Sequence, residues 1–303
     1  MTTPKILIGT SSFSATDPAP LNMLREAGVA FTLNPLGRKL TKAELLPLLQ
    51  GMDGLIAGLE TVDREVLERS TLKVVSRCGS GMANVDMSAA KELGIAVYGV
   101  PDGPTLAVAE LTVGCLLTLI RQVTVMDRAL HRKAWDKRTG RQLQGMKILI
   151  VGYGRIGRTT ARMLQGLGVE ILAFDPKLND PEAPLVSDLW EALSACDGVI
   201  LHNSGEDEIL NHEAFGRMKK GMFVLNASRG QAVNEGALIA ALDCGTVAGA
   251  WLDTFVTEPY SGPLCGYEQV LLTPHVASYT HEGRVRMECE TVANLLRGLR
   301  VGH

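Results

Sequence analysis

The chain lacks a strong charge of either sign, with 30 Lys and Arg against 33 Asp and Glu in 303 residues and a net charge of −3. That balance removes the electrostatic case for nucleic acid or an anionic membrane surface as a partner. Long apolar runs are also missing. The longest, from Leu106 to Ile120, is interrupted by Glu110 and falls short of a bilayer span, so it reads as a buried helix. The opening "MTTPKILIGTSS" has no charged start, extended apolar segment or small-residue cleavage site, so a cytoplasmic protein is expected. The six cysteines (78, 115, 196, 244, 265 and 289) form no C-x-x-C pair and have no histidine at metal spacing. This argues against a metal site and for reduced thiols. Cys78, beside a glycine-rich loop, is read as packing rather than as a reactive thiol.

What is present is a 46% hydrophobic, 21% charged composition, enough at this length for two cores. At its centre stands "ILIVGYGRIGRTTARMLQGLGVEILAFDP". The apolar run Ile148 to Val151 leads into Gly152-x-Gly154-x-x-Gly157, after which Ala161, Leu164 and Leu167 repeat at helical spacing. Strand, tight turn and helix follow in that order. The first glycine permits the turn, the second lets a pyrophosphate approach the backbone, and the third lets helix and strand pack closely. A second strand, Ile171 to Phe174, ends in Asp175, 18 residues past Gly157. That is near the distance of about twenty for an acid on the adenosine ribose. Asp175 would repel a 2′-phosphate and no arginine follows it directly, which favours NAD over NADP. A structural glycine turn followed by a surface aspartate is the bland alternative.

On either side the chain alternates short apolar runs with helical patterns. Strands are expected at 6–8, 55–57, 74–76 and 95–98, with helices at 21–27 and 42–50 among them. Beyond the glycine turn, strands at 199–201, 223–225, 248–252 and 270–272 bring the second set to six, with helices starting after caps at Ser187, Asn211 and Asn234. This predicts an α/β protein of two domains, one a doubly wound parallel sheet. The terminal run "HEGRVRMECETVANLLRGL" is an amphipathic helix whose spacing does not say which domain receives it.

Three loops follow predicted strands of the second sheet. "LNASRGQ" carries Arg229, "WLDTFVTEP" carries Asp253 and Glu258, and "LLTPHVAS" carries His275. A cation, a carboxylate and an imidazole at one sheet edge suit hydride transfer to a 2-oxo acid. A guanidinium grips the substrate carboxylate, an imidazole protonates the keto oxygen, and an acid orients and charges that imidazole. Singly, Arg229 also fits a surface salt bridge, Glu258 a solvated acid and His275 a turn cap.

With these loops, "VVSRCGSGMANVDMSAAKELGIAV", "TLAVAELTVGCLLTLIRQV" and "MKKGMFVLNASRGQAVNEGALIAAL", the chain resembles the D-isomer-specific 2-hydroxyacid dehydrogenases from about Leu55 to its end. Its likeness is to the phosphoglycerate dehydrogenase branch without a C-terminal regulatory domain. The resemblance implies a Rossmann domain at 99–281. A smaller flavodoxin-like substrate domain would be made of 1–98 and 282–303, with the active site in the cleft between the two and homodimer pairing through the second domain. It implies catalytic roles for Arg229, Glu258 and His275, with His275 as the acid. It places cofactor contacts on Arg155, Ile156, Asp175, His202, Ala227, Ser228, Asp253 and Ala277, beside the turn glycines. Ser80 and Gly81 would hold the substrate carboxylate, together with Arg229 and His275.

The chain departs from that branch in three places. "AGLET" puts Gly58 where the branch carries an arginine and adds a negative charge at Glu60, leaving Arg38, Lys39 or Arg138 to compensate for a phosphorylated substrate. "LHNSGEDEILN" is short and acidic, which leaves the contact at Asn203 open. Pro104 replaces an asparagine, and nothing in the sequence explains it. The resemblance also includes NAD-binding corepressors, so an NAD(H)-sensing scaffold with little turnover is the alternative reading. A methyltransferase would give Arg229, Glu258 and His275 no work.

Overall fold

The structure, a computed structural model, describes residues 3–79 and 81–301. It divides into two compact units, one made of the chain up to Pro104 with the chain from Ser278 onward, the other of Thr105–Ala277.

In the first unit, β1 (Lys5–Ile8), β2 (Ala30–Leu33), β3 (Gly54–Ala57), β4 (Val74–Arg77) and β5 (Ala96–Tyr98) form a parallel sheet in the order β2-β1-β3-β4-β5. This is the flavodoxin order. The central strand β3 is buried throughout and reads as an apolar run, whereas the edge strand β2 is largely exposed and carries no such run. That exposure is why the sequence pattern passes over it. The final helix, His281–Leu299, packs on this unit, with Met287, Val292 and Leu295 in one core with Ile6, Ile8, Ile56 and Val74. A Cβ on Gly298 would lie 2.4 Å from Val74 Cγ2, so glycine sets how closely this helix lies on the sheet. Its start is pinned by a buried pair, Arg284 to Glu288 at 2.5 Å, and Glu288 Oε2 also accepts from Ser14 N at 2.9 Å.

The unit boundaries fall at 104/105 and 277/278 rather than at 98/99 and 281/282. Residues 99–104 are held in the first unit. Val100 N donates to Gly79 O at 3.1 Å, and a Cβ on Gly103 would lie 3.1 Å from Met287.

In the second unit, β6 (Lys147–Val151), β7 (Glu170–Phe174), β8 (Gly198–Leu201), β9 (Met222–Asn226), β10 (Val247–Leu252) and β11 (Val270–Leu272) form a parallel sheet in the order β11-β10-β9-β8-β6-β7. Alternate residues feed two cores. Leu149, Val151, Val199, Leu201 and Leu252 point to one, and Ile148, Ile150, Ile200, Leu225 and Trp251 to the other. Both faces are therefore covered, as a doubly wound sheet requires. The helix Thr105–Ile120 packs Cys115, Leu116, Leu119 and Ile120 into the second of these cores. Among the described residues no single helix is long and apolar enough to cross a membrane.

Asn211 and Asn234 cap their helices as expected, accepting from Ala214 N at 2.9 Å and Ala237 N at 3.0 Å. The helix Leu189–Ala195 is capped by Asp188 rather than Ser187, because the Asp188 carboxylate accepts from both Trp190 N and Glu191 N.

Candidate active site

One row of paired residues runs along the carboxyl edge of the second unit's sheet: Phe174, Val151, Leu201, Asn226, Leu252 and Leu272. The next residue on each strand is therefore Asp175, Gly152, His202, Ala227, Asp253 and Thr273. Neighbouring strands lie about 4.8 Å apart, so the register alone gathers these exits along one edge. The order reverses at β6 and β8, which is where open α/β sheets take ligands.

The glycine turn sits at that reversal. Gly152 has φ +89°, and a Cβ there would lie 2.5 Å from Asn203 N. Gly154 has open space where a Cβ would be, room for a ligand to reach the backbone. A Cβ on Gly157 would fall 2.2 Å from Gly152 O, so only glycine lets the helix Arg155–Gly166 start this close to the turn. Among the described residues that helix has no side-chain cap and no acid in its first turn, so its N-terminus suits an anion.

Asp175 faces the turn. Its Oδ2 accepts from Tyr153 N at 2.9 Å and its Oδ1 from Lys177 N at 3.0 Å. Arg158, on the same helix, is committed to Asp180 at 2.7 Å. At the exit of β8, His202 Nε2 lies 3.0 Å from Thr160 Oγ1, and burial pushes its imidazole down to about 3. His202 Nδ1 and Asn203 Oδ1 are shut off from solvent and have no hydrogen-bond partner among the described residues. Open space at Gly154, uncapped helix N–H groups and two polar atoms awaiting partners fit a dinucleotide.

The exits of β9, β10 and β11 carry the other candidates. Asn226 shapes the arginine loop. Its Oδ1 accepts from Ser228 N and Oγ at 3.0 and 2.8 Å, and its Nδ2 donates to Arg229 O at 2.8 Å. Ser228 is thereby buried, and exposed Arg229 leaves the loop with Nη1 on Ser228 O. Ala227 N donates to Leu201 O across the row. A Cβ on Gly230 would lie 2.1 Å from the Phe255 carbonyl carbon, so the arginine loop rests directly on the loop carrying Glu258.

Glu258 bridges the next two loops. Its Oε1 accepts from Phe255 N at 3.1 Å, and its Oε2 lies 3.0 Å from His275 Nδ1. The His275 side chain keeps 50% exposure and that of Glu258 40%, so the imidazole is held yet reachable. Both line a cavity of about 530 Å³ with Phe255, Tyr260, Leu272 and Pro274. Asp253 is 1% exposed, and its carboxylate accepts from Thr273 Oγ1, Val276 N and Ala277 N, around His275.

Sequence reasoning missed Asn226, Gly230 and Thr273. A polar residue ending a buried strand was the available signal for Asn226. Contacts between loops left none for the other two.

Gly81 follows β4 in the first unit, and Ser80 lies outside the described residues. Glu60 does not display its charge as the sequence suggests. It is 1% exposed and folds back until its Oε1 occupies the place of a Cβ on Gly9, accepting from Gly58 N at 2.9 Å. Burial holds its carboxyl above the usual range. Arg38 and Arg138 are paired with Glu44 and Asp136, so neither is a spare cation. Burial pushes the Cys78 thiol up to about 11, consistent with packing rather than reactivity.

The family model described as "D-isomer specific 2-hydroxyacid dehydrogenase, NAD binding domain" matches residues 113–277. D-3-phosphoglycerate dehydrogenase of Pongo abelii is 35% identical over 298 residues, covering 93% of this chain and 54% of that protein. The chain spans about half the length of the curated relatives it matches. A solved protein from Thermus thermophilus, 33% identical, superposes with a TM-score of 0.90 over 98% of this chain and 97% of its own. A glyoxylate reductase from Paecilomyes thermophila, 26% identical, gives 0.85 over 97% and 95%. The matched model is that of an NAD-binding domain, and its span contains the glycine turn.

Proposed function

This chain belongs to the D-isomer specific 2-hydroxyacid dehydrogenases, and from that premise we propose that it moves a hydride between NAD and a small D-2-hydroxy acid or its 2-oxo counterpart. The observation that carries the reading is the His275–Glu258 pair, 3.0 Å apart, at the same sheet edge as the glycine turn.

When bound, the reduced nicotinamide supplies the hydride. The turn from Gly152 to Gly157 and the N–H groups of Arg155 and Ile156 take the pyrophosphate, and Asp175 takes the adenosine ribose. His202, Ala227, Ser228 and Ala277 line the rest of the dinucleotide's path. Arg229 offers a planar fork to the substrate carboxylate. Glu258 occupies His275 Nδ1, so Nε2 is the nitrogen left to give a proton to the keto oxygen during reduction and to take it back in the other direction. A carboxylate at that distance fixes the ring's orientation and tautomer.

The substrates in view are of the 3-phosphoglycerate, glyoxylate or hydroxypyruvate type. Within this reading the protein is a cytoplasmic homodimer. Its six free cysteines suit a reducing compartment. Leu106, Leu117, Val123, Leu130 and Trp135, the last 79% exposed, offer apolar surface on the second unit for pairing.

The test is NADH and NADPH oxidation with glyoxylate, hydroxypyruvate, pyruvate, 2-oxoglutarate and 3-phosphohydroxypyruvate. Turnover of at least one acid with NADH preferred is the expected result. NADH binding without turnover of any acid would replace the dehydrogenase with a nucleotide-sensing protein.

A further inference from the structure

His275 has φ +55°. Left-handed backbone is uncommon and strained for a residue with a side chain, so it persists only where the surroundings over-determine it. Part of the restraint is local, since His275 N donates to Thr273 O at 2.9 Å. The rest comes from one buried carboxylate on the neighbouring strand. Asp253 Oδ1 accepts from Thr273 Oγ1 at 2.5 Å and from Val276 N at 2.9 Å, and Oδ2 accepts from Ala277 N at 2.9 Å. Residues on both sides of the histidine are thus tied to a single group, while the imidazole reaches Glu258.

Behind this clasp stands a second donor. Wholly buried Trp251 gives its Nε1–H to Thr273 Oγ1 at 2.9 Å, and the threonine hydroxyl passes its own proton towards Asp253. Each bond in such a chain polarises the next. Burying a carboxylate is costly unless it is hydrogen-bonded. Here three of its roughly four acceptor positions are filled, all by the histidine loop.

We infer that Asp253 and Thr273 are positioning residues for His275, acting through the loop backbone to hold the imidazole against Glu258. The inference rests on the dehydrogenase reading for what His275 protonates. It differs from a direct cofactor contact at Asp253, which would act on dinucleotide affinity.

The test compares binding with turnover. Asp253→Asn keeps the volume but sets an amide N–H against a backbone N–H or gives up an acceptor. At saturating NADH, kcat for 2-oxo acid reduction should fall on the order of 10²-fold, the loss expected when a reacting group is misplaced by about 1 Å. The NADH Kd, read from nicotinamide fluorescence, should stay near the wild-type value. Thr273→Val should lower kcat in the same direction, and Thr273→Ser, which restores the hydroxyl, should recover it. If Asp253→Asn does not fold, the Thr273 pair carries the test. A weakened NADH Kd with unchanged kcat at saturation overturns the inference, as does a fully active Thr273→Val protein. Wild-type protein that reduces no 2-oxo acid fails the dehydrogenase reading and takes this inference with it, a result distinct from an active wild type with unimpaired variants.

Discussion

Gly230 rests on Phe255 so closely that a methyl group in place of its hydrogen would stand 2.1 Å from the Phe255 carbonyl carbon and 2.3 Å from Val256 N. The obstacle is backbone, which cannot swing aside as a side chain tip can. Through this contact the loop bearing Arg229 is seated on the loop bearing Glu258. Gly230→Ala should cost about 1–3 kcal/mol, the usual range for forcing an extra methyl into a packed site. It should also lower kcat/KM by separating the two loops. Urea unfolding and steady-state kinetics check both, and a variant equal to wild type in each would show that the loops are not coupled through Gly230.

His275→Ala removes the proposed proton donor without touching the glycine turn. Reduction of the best 2-oxo acid should drop by a factor on the order of 10² to 10⁴, with NADH fluorescence titrations unchanged. Normal turnover would take His275 out of the mechanism.

Arg229→Lys keeps the charge and loses the fork. A point charge cannot reproduce two parallel contacts to a carboxylate, so KM for the acid should rise while NADH binding holds. An unaltered KM and kcat would place the substrate carboxylate elsewhere.

Asp175→Ala removes the group expected to repel a 2′-phosphate. The preference for NADH over NADPH in kcat/KM should narrow on the order of ten-fold or more, as removal of a like-charge clash implies. An unaltered cofactor ratio would refute the ribose assignment.

His202 predicts an acid-sensitive fold. Burial holds its pKa at about 3 in the folded chain against an ordinary 6.5. Between those values the unfolded chain binds a proton that the folded chain refuses. The stability tied to the neutral ring is complete above pH 6.5 and is lost as pH falls, by at most about 1.4 kcal/mol per pH unit, until about pH 3. Urea unfolding at pH 7, 6 and 5 should show wild type losing more stability than His202→Gln. Parallel losses in the two proteins would mean that His202 is not the group responsible.

Much of this was legible along the chain. Buried parallel strands such as β3 and β6 are unbroken apolar runs, so they declare themselves. The three turn glycines have separate geometric duties within six residues, and a motif that short is written in local sequence. The spacing of Arg229, Glu258 and His275 past predicted strands was readable for the same reason, because parallel strands in register bring their exits to one edge. The edge strand β2 was not legible, since its exposed side chains leave no apolar signature.

By itself the sequence determined the α/β alternation, the glycine turn, and the residue types available for chemistry, because each depends on neighbours a few positions apart. Only the tertiary structure decided that Glu60 turns inward against Gly9 and that Gly230 seats one loop on another. It also decided that Asp253 spends its carboxylate on the loop around His275. Those outcomes depend on residues far apart in the chain meeting within a few ångströms, and no local pattern encodes such a meeting.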